Sequence, residues 1–133
     1  MPVITNEMKE MIVSHQCFHG TVSKDGIPNV APKRSTRIYD DNTLLYFEGT
    51  GGKTYQNILD GSKDVVAVVN REVRDGFRFV GTPEVFHEGD IYEKYSQISL
   101  NEGLPKPKAI ILIKIEEIQT LKPGPNAGKS ISD

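Results

Sequence analysis

Between Asp64 and Asn70 the chain carries an unbroken apolar run, Val65-Val66-Ala67-Val68-Val69. The run is far too short to cross a bilayer as a helix, and its β-branched valines pack best on a pleated surface. It therefore reads as a central strand of a sheet. A central strand needs neighbours on each side, and the flanking sequence supplies them. Gln16 to Ser23 is extended, Lys24-Asp25-Gly26 is a turn in which Gly26 can take a positive φ, and Pro28 to Tyr39 forms the returning arm of a hairpin. After Asp40-Asp41-Asn42, residues Thr43 to Glu48 alternate Leu45 and Phe47 as a third strand. Phe77 to Phe86 is a further strand, in which Pro83 cannot donate to a ladder and so marks an edge or a bulge. Lys108 to Glu116 is the last.

Three short helices interrupt these strands. Thr5 or Asn6 can cap the first, whose Met8, Met11 and Ile12 share one face and which stops near Ser14. Tyr55, Ile58 and Leu59 recur at helical spacing before Gly61. Ile91, Tyr95 and Ile98 do so within Glu88 to Leu100, which predicts a helix laid over a barrel opening. The expectation is a mainly β chain: a six-stranded antiparallel split barrel of Greek-key type, with about three short helices. The 133 residues fit one domain, 1–133, with a turn-rich tail over 122–133.

Charge and cysteine content bound the function. A formal net charge of −2 argues against a nucleic-acid coat, which needs clustered excess Lys and Arg. Cys17 stands alone, so no internal disulfide can form and a reducing, cytoplasmic setting is expected. Met1 to Lys9 lacks the apolar core of a signal peptide, so neither export nor membrane anchoring is expected.

Ligand chemistry concentrates between Lys33 and Thr54. On one continuous strand Lys33, Ser35 and Arg37 would share a face and Arg34 would point to the other. Gly51-Gly52-Lys53-Thr54 opens the second helix, where free amides, a hydroxyl and an ammonium would favour an anion such as a phosphomonoester. The same residues also suit a solvated strand face followed by a plain glycine loop. Gly-Gly-Lys-Thr is not a nucleotide P-loop, because Phe47 stands where the first glycine is required. The run Gly124 to Ser130 is one residue short of that motif and too close to the end for its helix. His15, Cys17 and His19 would share a strand face, with His87 or a carboxylate to complete a metal set. The spacing is not that of a recognisable zinc site, so no metal is expected and Cys17 reads as a small buried apolar residue. No catalytic acid or base can be named.

The segments Asp25 to Lys33, Gly51 to Asn57 and Phe77 to Gly81, followed in order by Lys108 to Leu121, resemble the pyridoxamine 5′-phosphate oxidase-like, FMN-binding split-barrel superfamily, in particular its small FMN-binding proteins. The resemblance implies a homodimer with FMN at the subunit interface, acting as an oxidoreductase on a small molecule or as an electron carrier. Position by position it implies cofactor contacts from Lys33, Arg34, Ser35, Arg37, Phe47, Glu48, Gly52, Lys53 and Thr54, with Lys53 and Thr54 at the phosphate. Glu48 departs from the pattern, because a carboxylate repels phosphate; it is expected to turn away or engage Arg34 or Lys33. The chain lacks the additional carboxyl-terminal segment of the vitamin oxidases, so vitamin oxidation is not expected. Other branches bind deazaflavin or haem, the latter through a histidine such as His15, His19 or His87.

Overall fold

The computed structural model describes residues 2–131. In chain order the elements are α1 (Asn6–Ser14), β1 (Phe18–Val22), β2 (Pro28–Pro32), β3 (Arg37–Asp40), β4 (Thr43–Glu48), α2 (Lys53–Leu59), β5 (Asp64–Asn70), β6 (Asp75–Phe86), α3 (Asp90–Asn101) and β7 (Ala109–Thr120). The strands form one antiparallel sheet in the order β2-β1-β5-β6-β7-β4-β3, with β5 central as its valine run predicts. No helix among these residues is long and apolar enough to cross a membrane.

The sheet has seven strands rather than the expected six, because the long second arm is broken. Lys33 to Thr36 is a turn, closed by Thr36 N–H donating to the Lys33 carbonyl at 3.1 Å. The break has tertiary causes. Lys33 N–H donates to the Cys17 carbonyl at 3.1 Å, while the Ser35 hydroxyl accepts from Phe47 N–H at 2.8 Å. One end of the turn is thus tied beside β1 and the other to β4. Since β2 and β3 are the two edges of the sheet, this four-residue link forces the sheet to curl until its edges approach. That is the physical content of a split barrel.

The inside of the curl is the main core. Leu44 and Tyr46 of β4, Val66 and Val68 of β5, Phe79 of β6, and Ile111, Ile113 and Ile115 of β7 all point into it, and α1 adds Met8, Met11 and Ile12. Thr5 caps α1 as expected, its hydroxyl accepting from Met8 N–H at 3.3 Å. α3 corrects the reading of its role. It covers no barrel opening; Tyr92 packs with Leu45, Phe47, Ile110 and Leu112, the alternate residues of β4 and β7, on the outer face of the sheet. Pro83 lies just past the bulge between Val80 and Gly81, in the part of β6 that has β7 as its neighbour after β5 has ended.

Candidate functional site

The nine residues singled out from the sequence do not form one face. Lys33 and Arg37 fall on opposite sides of β4, because the turn between them reverses the alternation on which their shared face depended. Arg37 pairs in register with Leu45, so it lies on the α3 side. There it stacks over the Phe47 ring, 4.3 Å from its centroid, and makes a two-pronged ion pair with Glu102 at 2.9 and 3.1 Å. Phe47 in turn meets Tyr95 at 6.5 Å between centroids. These side chains clamp α3 to the sheet. The guanidinium, through its hydrogen bonds to Glu102, holds that carboxyl below the usual carboxylate range.

Lys33 belongs to the other side. Its ammonium lies 3.6 Å from Glu48 Oε1 and 5.4 Å from the centre of the Tyr46 ring. Glu48 is 1% exposed, and its Oε2 accepts from Gly51 N–H at 2.9 Å. Tyr46 OH reaches Oε1 at 3.5 Å, and burial, then the charges of Asp64 and Glu48, push the phenol pKa upward, so Tyr46 remains a donor. A buried carboxylate demands such compensation. The sequence expectation that Glu48 would engage Lys33 therefore describes the structure.

Beyond Glu48 the loop carries Gly51 at φ +74° and Gly52 as the N-cap of α2 without a side-chain cap. The first-turn amides of α2 consequently have no capping side chain, and Lys53 beside them is exposed. α2 has only seven residues, so its dipole is a minor part of the local field. Thr54 is buried, its Oγ1 accepting from Asn29 Nδ2 at 3.2 Å, which fastens α2 to β2. Lys108 was not singled out as a site residue. A Cβ built on Gly51 would lie 3.0 Å from its Cδ and Nζ, the movable end of an exposed side chain, so this lysine lies beside the glycine loop. Sequence reasoning saw Lys108 only as the start of a strand; nothing local shows that β7 begins beside the glycine loop.

Arg34 is exposed and stands apart from this corner. With Lys33 and His15 it lines a small polar cavity of about 190 Å³ between the end of α1 and the 33–36 turn. A cleft of about 970 Å³ lies beside the bulge where β7 carries the extra residue Glu116 against β6, and is lined by Glu84, Glu116 and Glu117 with Lys114. Its carboxylates disfavour an anionic ligand, and none of the nine residues lines it.

The proposed face of His15, Cys17 and His19 also dissolves. His15 caps the end of α1, whereas Cys17 and His19 point into the core. Both ring nitrogens of His19 are engaged, Nδ1 with Asp64 Oδ2 at 3.0 Å and Nε2 with Thr36 Oγ1 at 2.7 Å. Burial pushes the Cys17 thiol up to about 12, consistent with the small apolar role expected of it.

The chain is similar to known proteins in sequence and fold. Uncharacterized protein MJ0282 of Methanocaldococcus jannaschii is 36% identical over 134 residues, spanning 97% of this chain and 88% of its own. The crystal structure of HupZ from Group A Streptococcus is 43% identical, covers 94% of this chain and 99% of its own, and superposes with a TM-score of 0.85. An FMN-binding protein of Syntrophomonas wolfei, 21% identical, shares the fold at a TM-score of 0.72 over 89% of this chain and 88% of its own. The sequence profile described as pyridoxamine 5′-phosphate oxidase matches residues 4–122. A profile match across nearly all of the sheet, together with a curled sheet whose edges are joined by one short turn, places the chain in the pyridoxamine 5′-phosphate oxidase family.

Proposed function

We propose that this chain is an FMN-binding flavoprotein that works as a homodimer and acts as an oxidoreductase on a small molecule. The observation that carries the reading is the corner at Gly51–Lys53, where uncapped helix amides and exposed lysines lie beside Gly51, whose φ of +74° favours glycine. These are the donors that a phosphomonoester takes, and their chemistry fits the anionic end of FMN. In this reading Gly52 and Lys53 hold the phosphate, while Arg34, on the 33–36 turn apart from that corner, does not touch it. Lys33, Ser35, Glu48 and Thr54 build the wall behind them, and Arg37 and Phe47 brace that wall from the α3 side. Bound FMN would supply the electron-transfer chemistry, and the residues here would orient it and exclude water from one side.

The dimer has its own support. On β1 the residues opposite the buried His19 and Thr21 are Phe18 and Val22, and Val30 of β2 shares their face. Phe18, Val22 and Val30 are 45%, 44% and 69% exposed, an apolar patch on the outside of the curl with Pro28 and Pro32 around it. A second copy covering this face would bury the patch and roof a flat ring system, which needs a concave, partly dry slot.

Titration of the apoprotein with FMN, followed by quenching of flavin fluorescence, tests the reading together with sedimentation of the same samples. Stoichiometric binding by a dimer is expected. Undiminished FMN fluorescence at excess protein, or a monomer in the presence of flavin, overturns it. Stopped-flow reduction by nicotinamide nucleotides then separates an enzyme from an electron carrier. The deazaflavin analogue, added in parallel, reveals whether a different flavin is preferred.

A further inference from the structure

We propose that the small polar cavity between the end of α1 and the 33–36 turn binds a short-chain carboxylate, held by the Arg34 guanidinium and by His15 Nδ1. The site stands apart from the glycine-loop corner, and the inference does not rest on the flavin reading.

An unmet hydrogen bond points to the ligand. His15 lines the cavity, and its Nδ1 is buried with no hydrogen-bond partner among the described residues. Buried polar atoms are nearly always paired, because stripping water from one without replacing it is costly. The residue is anchored where it stands, since His15 N–H donates to the Met11 carbonyl at 3.0 Å as the C-cap of α1.

Three neighbouring side chains around the cavity are already engaged. Gln16 Nε2 donates to the Cys17 carbonyl at 2.9 Å. The Thr36 hydroxyl lies 2.7 Å from both His19 Nε2 and the Lys33 carbonyl. The Lys33 ammonium faces the Glu48 carboxylate at 3.6 Å, and Lys33 N–H donates to the Cys17 carbonyl at 3.1 Å. These bonds fix the walls and leave the His15 ring and Arg34 uncommitted. Arg34 makes no hydrogen bond or ion pair among the described residues.

The charge selects the sign of the ligand. None of the residues lining the cavity is an aspartate or a glutamate. The carboxyl end of α1 contributes a negative potential worth about half a charge, which the full charge of Arg34 outweighs, so an anion is admitted and a cation repelled. A guanidinium offers two parallel N–H donors that match the two oxygens of a carboxylate, and a ring N–H supplies a further bond. At about 190 Å³ the cavity is smaller than the roughly 300–1,000 Å³ of pockets that take drug-sized ligands, so the acid is short. Once bound, it ties the end of α1 to the turn that joins the two sheet edges.

Sodium acetate is the probe, with sodium chloride at equal ionic strength as the control and no flavin added. NMR of the full chain follows the His15 ring signals and the Arg34 Nε–H. Acetate is expected to shift both along one saturating curve and to raise the melting temperature above that of the chloride control. Arg34→Ala, at an exposed position, is expected to weaken acetate about tenfold while melting like wild type in chloride. His15→Ala, followed through the Arg34 signal, is expected to weaken acetate as well, and His15→Asn, whose Nδ2–H stands where the ring Nδ1–H does, to restore part of the affinity. Shifts that acetate and chloride produce alike, shifts that do not saturate, or wild-type acetate affinity in either alanine variant overturn the assignment.

Discussion

His19 and Asp64 face each other across 3.0 Å with neither side chain exposed to solvent, and the far ring nitrogen of His19 rests on Thr36 at 2.7 Å. Three separate pieces of chain meet there: β1, the first residue of β5, and the turn that joins the two sheet edges. The Thr36 hydroxyl also reaches the Lys33 carbonyl at 2.7 Å, and its single proton serves one of the two partners at a time; Thr36 N–H covers the same carbonyl at 3.1 Å. The histidine therefore sets the shape of the turn that carries Lys33.

Removing one member of this pair leaves the other buried without compensation. Asp64→Ala should destabilise the fold by about 3–5 kcal/mol. Asp64→Asn, which keeps a hydrogen-bonding oxygen, should cost less. Urea denaturation followed by tyrosine fluorescence gives both values. Equal stability of Asp64→Ala and wild type would show that the pair contributes nothing.

Cys17 provides a probe of the same interior. It is 2% exposed, lies in the main core, and its thiol is pushed up to about 12 by burial. At pH 8 almost none of it is thiolate, and reagent access is closed. A disulfide-exchange reagent should leave the native protein unlabelled over hours and react with one thiol per chain as soon as guanidinium unfolds it. Rapid native labelling would contradict the packing around α1 and β1.

The Arg37–Glu102 clamp gives a pH signature. The folded pKa of Glu102 is depressed, so its contribution to stability is present above the ordinary carboxylate pKa, about 4.3, and is lost as pH falls through the lower folded value. The pair is partly exposed, so the effect is small, about 0.5–1 kcal/mol. Thermal melts of wild type and Glu102→Gln should differ at pH 7 and converge on strong acidification. A difference that grows as pH falls would reverse the sign and refute the assignment.

Much of this architecture is legible from local pattern. Thr43 to Glu48 and Asp64 to Asn70 have the strand limits that their alternation and their valine run predict. Thr5 caps α1, and Gly26 adopts φ +84° in its turn. The break at Lys33–Thr36 is different. No glycine or asparagine marks it, and the bonds that impose it come from Cys17, Phe47 and His19. The same limit applies to the site. Period-two alternation places Lys33 and Arg37 together only if the strand is continuous, and their actual partners, Glu48 and Glu102, lie on other elements. Lys108 was missed for the same reason: its proximity to Gly51 exists only after β7 has paired with β4.

Lys53 is exposed beside the uncapped end of α2, so replacing it should act on ligand more than on fold. Lys53→Ala should weaken FMN binding by about 1.5–3 kcal/mol through loss of a charge-assisted contact, with an unaltered melting temperature. Equal FMN affinity of the variant and wild type in a fluorescence titration would remove Lys53 from the phosphate site.

The bulge between β6 and β7, in which Glu116 of β7 is the extra residue, yields a prediction about shape rather than charge. At Gly81 a Cβ would stand 2.4 Å from the Lys114 carbonyl oxygen and 2.8 Å from Ile113 Cγ2, so backbone of the neighbouring strand occupies the space itself. The register shift between Val80 and Gly81 lies at this contact, and β7 can approach so closely only because position 81 has no side chain. Gly81→Ala must therefore push β6 and β7 apart where Glu116, Thr82 and Lys63 are hydrogen-bonded to one another. A loss of about 1–3 kcal/mol or more is expected, as for other overpacked sites. Gly49→Ala is the control, because no atom lies within 4 Å of its added Cβ and its φ is outside the left-handed region. Denaturation midpoints that fall for Gly81→Ala and hold for Gly49→Ala would establish the close strand approach, whereas a Gly81→Ala protein as stable as wild type would show that the strands are not packed this tightly in solution.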